Sequence, residues 1–99
     1  MWPAVADAVR AHAQGPQVPI LTTRSYSQVL EMLLGPDPRY VFVAGNSPLA
    51  PQAQFNLDDK QIPYYDPDAA KVVEEGNFVQ IGRYARPRGG AVLTLSERR

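Results

Sequence analysis

Apolar positions change period several times along the chain, and each change predicts an element. From Trp2 to Gln14, the residues Trp2, Val5, Ala6, Val9 and Ala13 recur at helical spacing, with Asp7, Arg10 and Gln14 opposite and Pro3 suited to a first turn. Gly15 and Pro16 end this helix. The short stretch Gln17–Thr23 is apolar in its middle but contains Pro19, which lacks an amide donor and so points to an edge strand or a linker, not a central strand. Ser25 and Gln28 have capping-box spacing ahead of Val29, Leu30, Leu33 and Leu34, which predicts a second short helix stopping at Gly35 and Pro36. Arg39–Ala44 (RYVFVA) is dense in aromatic and β-branched residues between Pro38 and Gly45, and predicts a strand near the centre of a sheet.

The second half of the chain is less regular. Asn46–Asn56 has no period and carries Pro48 and Pro51, so it reads as a loop or a contact arm. Leu49 or Phe55 within it is predicted to pack onto a neighbouring subunit, the alternative being a loop folded back so that Phe55 is buried in its own core. Gln61–Tyr65 reads as a short strand. Asp66–Gly76 has helix marks in Asp66 as N-cap, Pro67 at the first position and Gly76 at the end, yet Glu74 and Glu75 sit at the wrong end of a helix dipole and Val72 and Val73 favour strand. A turn followed by a strand is the preferred reading there. Phe78–Ala85 and Ala91–Ser96 are predicted strands joined by a turn at Pro87–Gly90, a C-terminal β-hairpin. The expected fold is one α+β domain over residues 1–99, with two short N-terminal helices and a mainly antiparallel β-sheet.

Length limits what such a domain can own. A chain of 99 residues buries only about 60–65% of its unfolded surface, enough for one modest core. The absence of cysteine excludes disulfides, thiolate catalysis and the common structural zinc sites. No long apolar stretch predicts a membrane span or a secretory signal. Charge changes the picture more. Ten acids balance ten bases overall, but residues 57–76 hold six acids against Lys60 and Lys71, a local charge of −4. Residues 77–99 hold five arginines against Glu97, a local charge of +4. Side by side, the two segments would neutralise each other; on opposite faces, they would favour contact between copies.

Candidate chemistry is sparse. His12, the one histidine, borders the buried stripe of the first helix and has no catalytic or ligand partner near it in sequence. Asp58 with Asp59, or Asp66 with Asp68, resembles a hard-cation loop only in its first residues, so these acids read as turn and capping groups. No nucleophile-elbow, phosphate-loop or dinucleotide motif occurs, so neither catalytic nor cofactor- or metal-binding residues are expected. The stretch with most character is Arg83–Gly90 (RYARPRGG), where Arg83, Tyr84, Arg86 and Arg88 suit either the acids of a protein partner or a phosphate clamp with Tyr84 stacking on a base. Asp58, Asp59 and Asp66 are the complementary candidates for partner binding, together with Leu49 and Phe55 of the proline-rich stretch.

Residues 62–95 bring in a family. Tyr65 and Asp66, Lys71–Val73, Gly76 with Asn77, Ile81 with Gly82, and Gly89–Leu95 occur in an order that resembles the closing segment of small head-decoration proteins of tailed bacteriophages. The resemblance implies a non-enzymatic virion protein, assembled in the host cytoplasm, that binds other virion proteins or copies of itself and stabilises a shell. From the residues themselves, neither a cofactor nor a membrane is expected. The alternative function, from the residues alone, is a small nucleic-acid-binding or regulatory module using the arginine hairpin.

Overall fold

The computed structural model describes residues 2–35, 37–59, 66–85 and 92–99, with the side chains of residues 24 and 25 set aside. The predicted strand at Gln61–Tyr65 and the predicted turn at Pro87–Gly90 lie outside the described residues. Elements follow in the order α1 (Trp2–His12), β1 (Val18–Leu21), α2 (Arg24–Leu34), β2 (Tyr40–Val43), a 3-10 turn (Ala50–Gln52), β3 (Phe55–Asp58), α3 (Pro67–Glu75), β4 (Phe78–Ala85) and β5 (Val92–Arg98). The five strands form one sheet in the order β2-β1-β3-β5-β4. β1 is parallel to β2 and to β3, whereas β5 is antiparallel to both β3 and β4.

The sheet is therefore mixed, which corrects the expectation of a mainly antiparallel one. Helices are interspersed with the strands and do not all precede them. The physical reason lies in the first half of the chain. A helix between two strands carries the chain back across the sheet, so β1-α2-β2 closes as a parallel crossover. Only the β4–β5 pair is the expected hairpin, with Leu93 and Leu95 buried on one face.

Strand β1 sits at the middle of the parallel half, against the expectation for a segment with a proline. All four of its residues are buried. Pro19 is tolerated because β3 pairs with β1 only at Ile20 and Leu21, so Pro19 offers β3 nothing but its carbonyl, which accepts from the Gln54 amide at 2.9 Å. The strand expected at the centre, Tyr40–Val43, lies instead at the edge. Aromatic and β-branched content favours a partly buried pleated surface, and β2 has that without a second strand neighbour among the described residues, with Val43 buried and Tyr40, Val41 and Phe42 half-buried.

Two apolar layers hold the sheet. On one face α1 and α2 lay Val5, Ala6, Val9, Leu30 and Leu34 against Val18, Ile20, Phe55, Leu57, Leu93 and Leu95. On the other, Leu21 and Val43 meet Ala50, Ala53 and Ala69, with Leu49, Val72, Val73 and Phe78 packed around them. α2 begins at Arg24 with Thr23 as N-cap, two residues before the predicted cap. The segment predicted as turn and strand, Asp66–Gly76, is helix α3. Its local marks prevail because Ala69, Val72 and Val73 share one helical side and cover the second apolar layer, while Asp66 caps the Ala69 amide at 3.0 Å.

The proline-rich stretch folds back onto its own chain. Ala50 and Ala53 are fully buried, Leu49 packs on the second layer, and Phe55 is a β3 core residue at 1% exposure. For Phe55 this corrects the expected contact arm: the side chain is buried in its own core, because its position in β3 places it under α1 and α2.

Gly45, just past β2, is pressed against the start of α3. A Cβ there would stand 2.0 Å from the Ala69 nitrogen, while the Gly45 amide donates to Asp66 at 3.0 Å. Gly45→Ala is expected to cost roughly 3 kcal/mol in urea unfolding, since backbone atoms must move. Gly15→Ala meets no atom but has a φ of +83°, so about 1 kcal/mol is expected. Equal losses at the two positions would contradict the close approach.

Candidate functional site

In a sheet whose order is 2-1-3, the chain leaves β1 for one neighbour and later returns to the other side. Crevices form where such connections diverge, outside the carboxyl ends of the strands. Here that end gathers Thr22 and Thr23 after β1, the start of α2, Ala44 and Gly45 after β2, and Asp58 and Asp59 at the end of β3. A depression of about 220 Å³ beside it is lined by Thr22, Ser27, Phe42, Val43 and Ala44.

The acids predicted from sequence have separate duties here. Asp66 is structural: one carboxylate oxygen accepts from Ala69 in α3 and the other from Gly45, so it ties the connection after β2 to the helix. Asp59 accepts a hydrogen bond from the Tyr26 hydroxyl of α2. Asp58 ends β3 opposite Thr94, whose hydroxyl reaches the Asp58 carbonyl at 3.4 Å. Burial, and secondarily the Asp59 charge, push the Asp58 carboxyl up to about 6, opposed by a hydrogen bond from the Asp59 backbone. Asp58 Oδ1 is shut from solvent with no hydrogen-bond partner among the described residues. A half-buried acid beside a second acid keeps its proton to higher pH because ionisation would concentrate charge in a poorly hydrated place. Among the described residues, no three His, Asp or Glu side chains gather as metal ligands would. Tyr26 is the site residue that sequence reading missed; its aromatic ring sits within the helical pattern of α2, and only the fold brings it to Asp59.

The arginine hairpin is divided by strand alternation. Arg83 pairs in register with Thr94 and is exposed, whereas Tyr84 pairs with the buried Leu93 and packs on the first apolar layer. Successive strand residues face opposite ways, so the two side chains leave the sheet on different faces. Burial raises the Tyr84 phenol above its ordinary value. A Cβ at Gly82 would lie 2.4 Å from the Tyr84 hydroxyl, so the phenol lies directly over that glycine. Arg86 and Arg88 lie outside the described residues. Phe55 belongs to the interior, and Leu49 is half-buried against the second apolar layer.

Two ion pairs occur among the described residues, Arg10 with Asp7 (3.1 Å) and Arg99 with Glu97 (3.2 Å), and His12 Nδ1 lies at hydrogen-bond distance, 3.0 Å, from the Glu97 carboxylate. None joins an acid of residues 57–76 to a base of residues 77–99. Arg98 instead donates through Nε to the Ala53 carbonyl at 2.8 Å and lies 4.7 Å from the centre of the Phe78 ring. It is spent on holding β5 to the second apolar layer. No described helix is long and apolar enough to cross a membrane. Comparison with protein-family models, curated proteins and solved structures finds no match.

The raised Asp58 value fixes a pH dependence. Folded Asp58 holds its proton more tightly than the unfolded chain, whose value is near 3.8. Its contribution is thus most favourable below that pH, declines as pH rises towards 6, and is level beyond. Asp58→Asn is expected to be more stable than the parent at pH 7.5 by about 1–2 kcal/mol, after discounting for solvent screening. The gap should close on acidification towards pH 4. Parallel stability profiles for the two proteins from pH 4 to 8 would contradict the assignment.

Proposed function

We propose that this chain is a non-catalytic assembly subunit that works by binding neighbouring protein subunits, in a phage-like particle of the kind its C-terminal third resembles. The observation that carries the reading is exposed charge of both signs: among the described residues Arg83, Asp68, Glu74 and Glu75 are all exposed, and none of these four belongs to an ion pair. Opposed charges on separate parts of one surface steer and align copies or partners.

The separation of Arg83 from Tyr84 favours a protein partner over a nucleic acid. Single-strand binding draws on a cationic groove with aromatic rings beside it, and here the ring is packed on the core. The virion setting has narrower support. Lys71–Val73, which the resemblance requires as a strand, is helical, so its support is the Gly76–Asn77 turn and the β4 and β5 residues. Genomic neighbours encoding head, connector or tail proteins would support that setting.

Arg83→Glu should weaken association with particle subunits by about tenfold at low salt, and Glu74→Lys with Glu75→Lys should restore part of the loss. Binding to random duplex DNA should be undetectable near physiological salt. Tight DNA binding that Arg83→Glu abolishes would overturn the reading in favour of a nucleic-acid module.

A further inference from the structure

Among the described residues, strand β2 has the composition of a central strand and the position of an edge strand. Its four residues, Tyr40, Val41, Phe42 and Val43, carry no charge, no proline and no bulge, the features that normally guard an edge. The other edge, β4, is guarded: its register shifts between Gln80 and Gly82, and it bears Arg83. The carbonyls of Arg39 and Val43 accept from Val18 and Thr22 at 2.8 and 3.1 Å, so they face β1. Alternation then turns the amide and carbonyl of Phe42, and the carbonyl of Tyr40, towards the open side.

The surface beside that edge mixes apolar side chains with two acids. Tyr40 and Phe42 are only half-buried, and with Leu34, Gly35 and Pro38, and with the acids Glu31 and Asp37, they line a groove of about 330 Å³ between β2 and α2. Next to it Met32 stands 84% exposed, and a further shallow depression joins it to Gln28, Glu31 and Gly35. These α2 residues recur at three- and four-residue spacing, so they form one stripe along the helix.

We infer that this edge is completed by β2 of a second copy of the same chain, running antiparallel about Val41. The strand is its own complement in that arrangement. The outward-facing residues meet as Tyr40 against Phe42 of the second copy, and Phe42 against its Tyr40, giving two aromatic cross-strand pairs. The two α2 helices then lie antiparallel on the same side of the joined sheet. The first turn of α2 has no acidic residue, and the antiparallel arrangement brings Glu31 of one copy towards the positive start of the other helix. Met32 of each copy is covered. This inference deepens the reading as an assembly subunit by naming one of its contacts, and it differs in kind from the charge-steered contacts because backbone pairing and apolar burial are weakened by salt far less than contacts between surface charges.

The chain has no cysteine, so a single introduced thiol reports only contacts between copies. Val41 would face its own mate across the two-fold axis as a non-hydrogen-bonded pair, with Cα atoms roughly 4.5 Å apart, within disulfide range. Val41→Cys should form a covalent dimer under mild oxidation at least tenfold faster than Val79→Cys, a control on the 45%-exposed position of β4. In sedimentation, Met32→Lys should raise the dissociation constant of the dimer at least tenfold at low and high salt alike, with unchanged circular dichroism. Equal crosslinking of the two cysteine variants, or a parent that stays monomeric up to millimolar concentration, would overturn the inference. A monomer that still joins particles sinks the β2 pairing and spares the assembly reading; a β2-paired dimer that joins none does the reverse.

Discussion

Burial of β1 on both faces is the constraint from which the rest of this structure follows. Val18 and Ile20 must be covered from one side and Leu21 from the other, and four residues this short cannot do that within a hairpin. Parallel neighbours supply the answer, because each crossover lays further chain over a face of the sheet. α2 covers one face on its way from β1 to β2. The 3-10 turn covers the other on its way from β2 to β3, with Ala50 and Ala53 buried beneath it. α3 is then held at the same place by Asp66, whose carboxylate joins Gly45 to the helix start. One end of the sheet thus collects the ends of three strands and the beginnings of two helices, and the acids of β3 are found there.

Legibility in the sequence followed the range of the interaction concerned. α1, the α2 stripe and the β4–β5 pair depend on contacts within about twenty residues, and their periodicity predicts them, with α2 capped two residues before the expected position. Strand placement depends on which distant segments pair, and there the reading erred. Pro19 argued against a central strand because a missing donor usually costs a ladder bond; the staggered start of β3 removes that cost, which nothing local announces. Tyr40–Val43 argued for the centre because apolar strands are usually buried by strands. Val72 and Val73 argued for a strand, yet their spacing from Ala69 equally fits a helix lying on a sheet, and the Asp66 cap decided it.

The candidate site was legible in part. Asp58 and Asp59 were singled out as residues, and their unlike environments, one acid desolvated and the other bound by Tyr26, come from the fold. The Arg83–Tyr84 pair shows the opposite failure. Adjacent in sequence, they suggested one clamp, but the strand they occupy sends them to opposite faces. The apolar edge of β2 with Met32 beside it has no sequence signature at all, since the same residues in a central strand would be ordinary core.

Completion of the sheet at β2 by a second copy leaves its clearest mark on amide hydrogen exchange at Phe42. The amides of Val41 and Val43 belong to the β1 ladder by alternation and should be protected at every concentration, whereas that of Phe42 points to the open edge. Protection of Phe42 that rises with protein concentration while its neighbours stay constant is the predicted result. A Phe42 amide that exchanges at the open-chain rate from micromolar to millimolar protein would contradict the account.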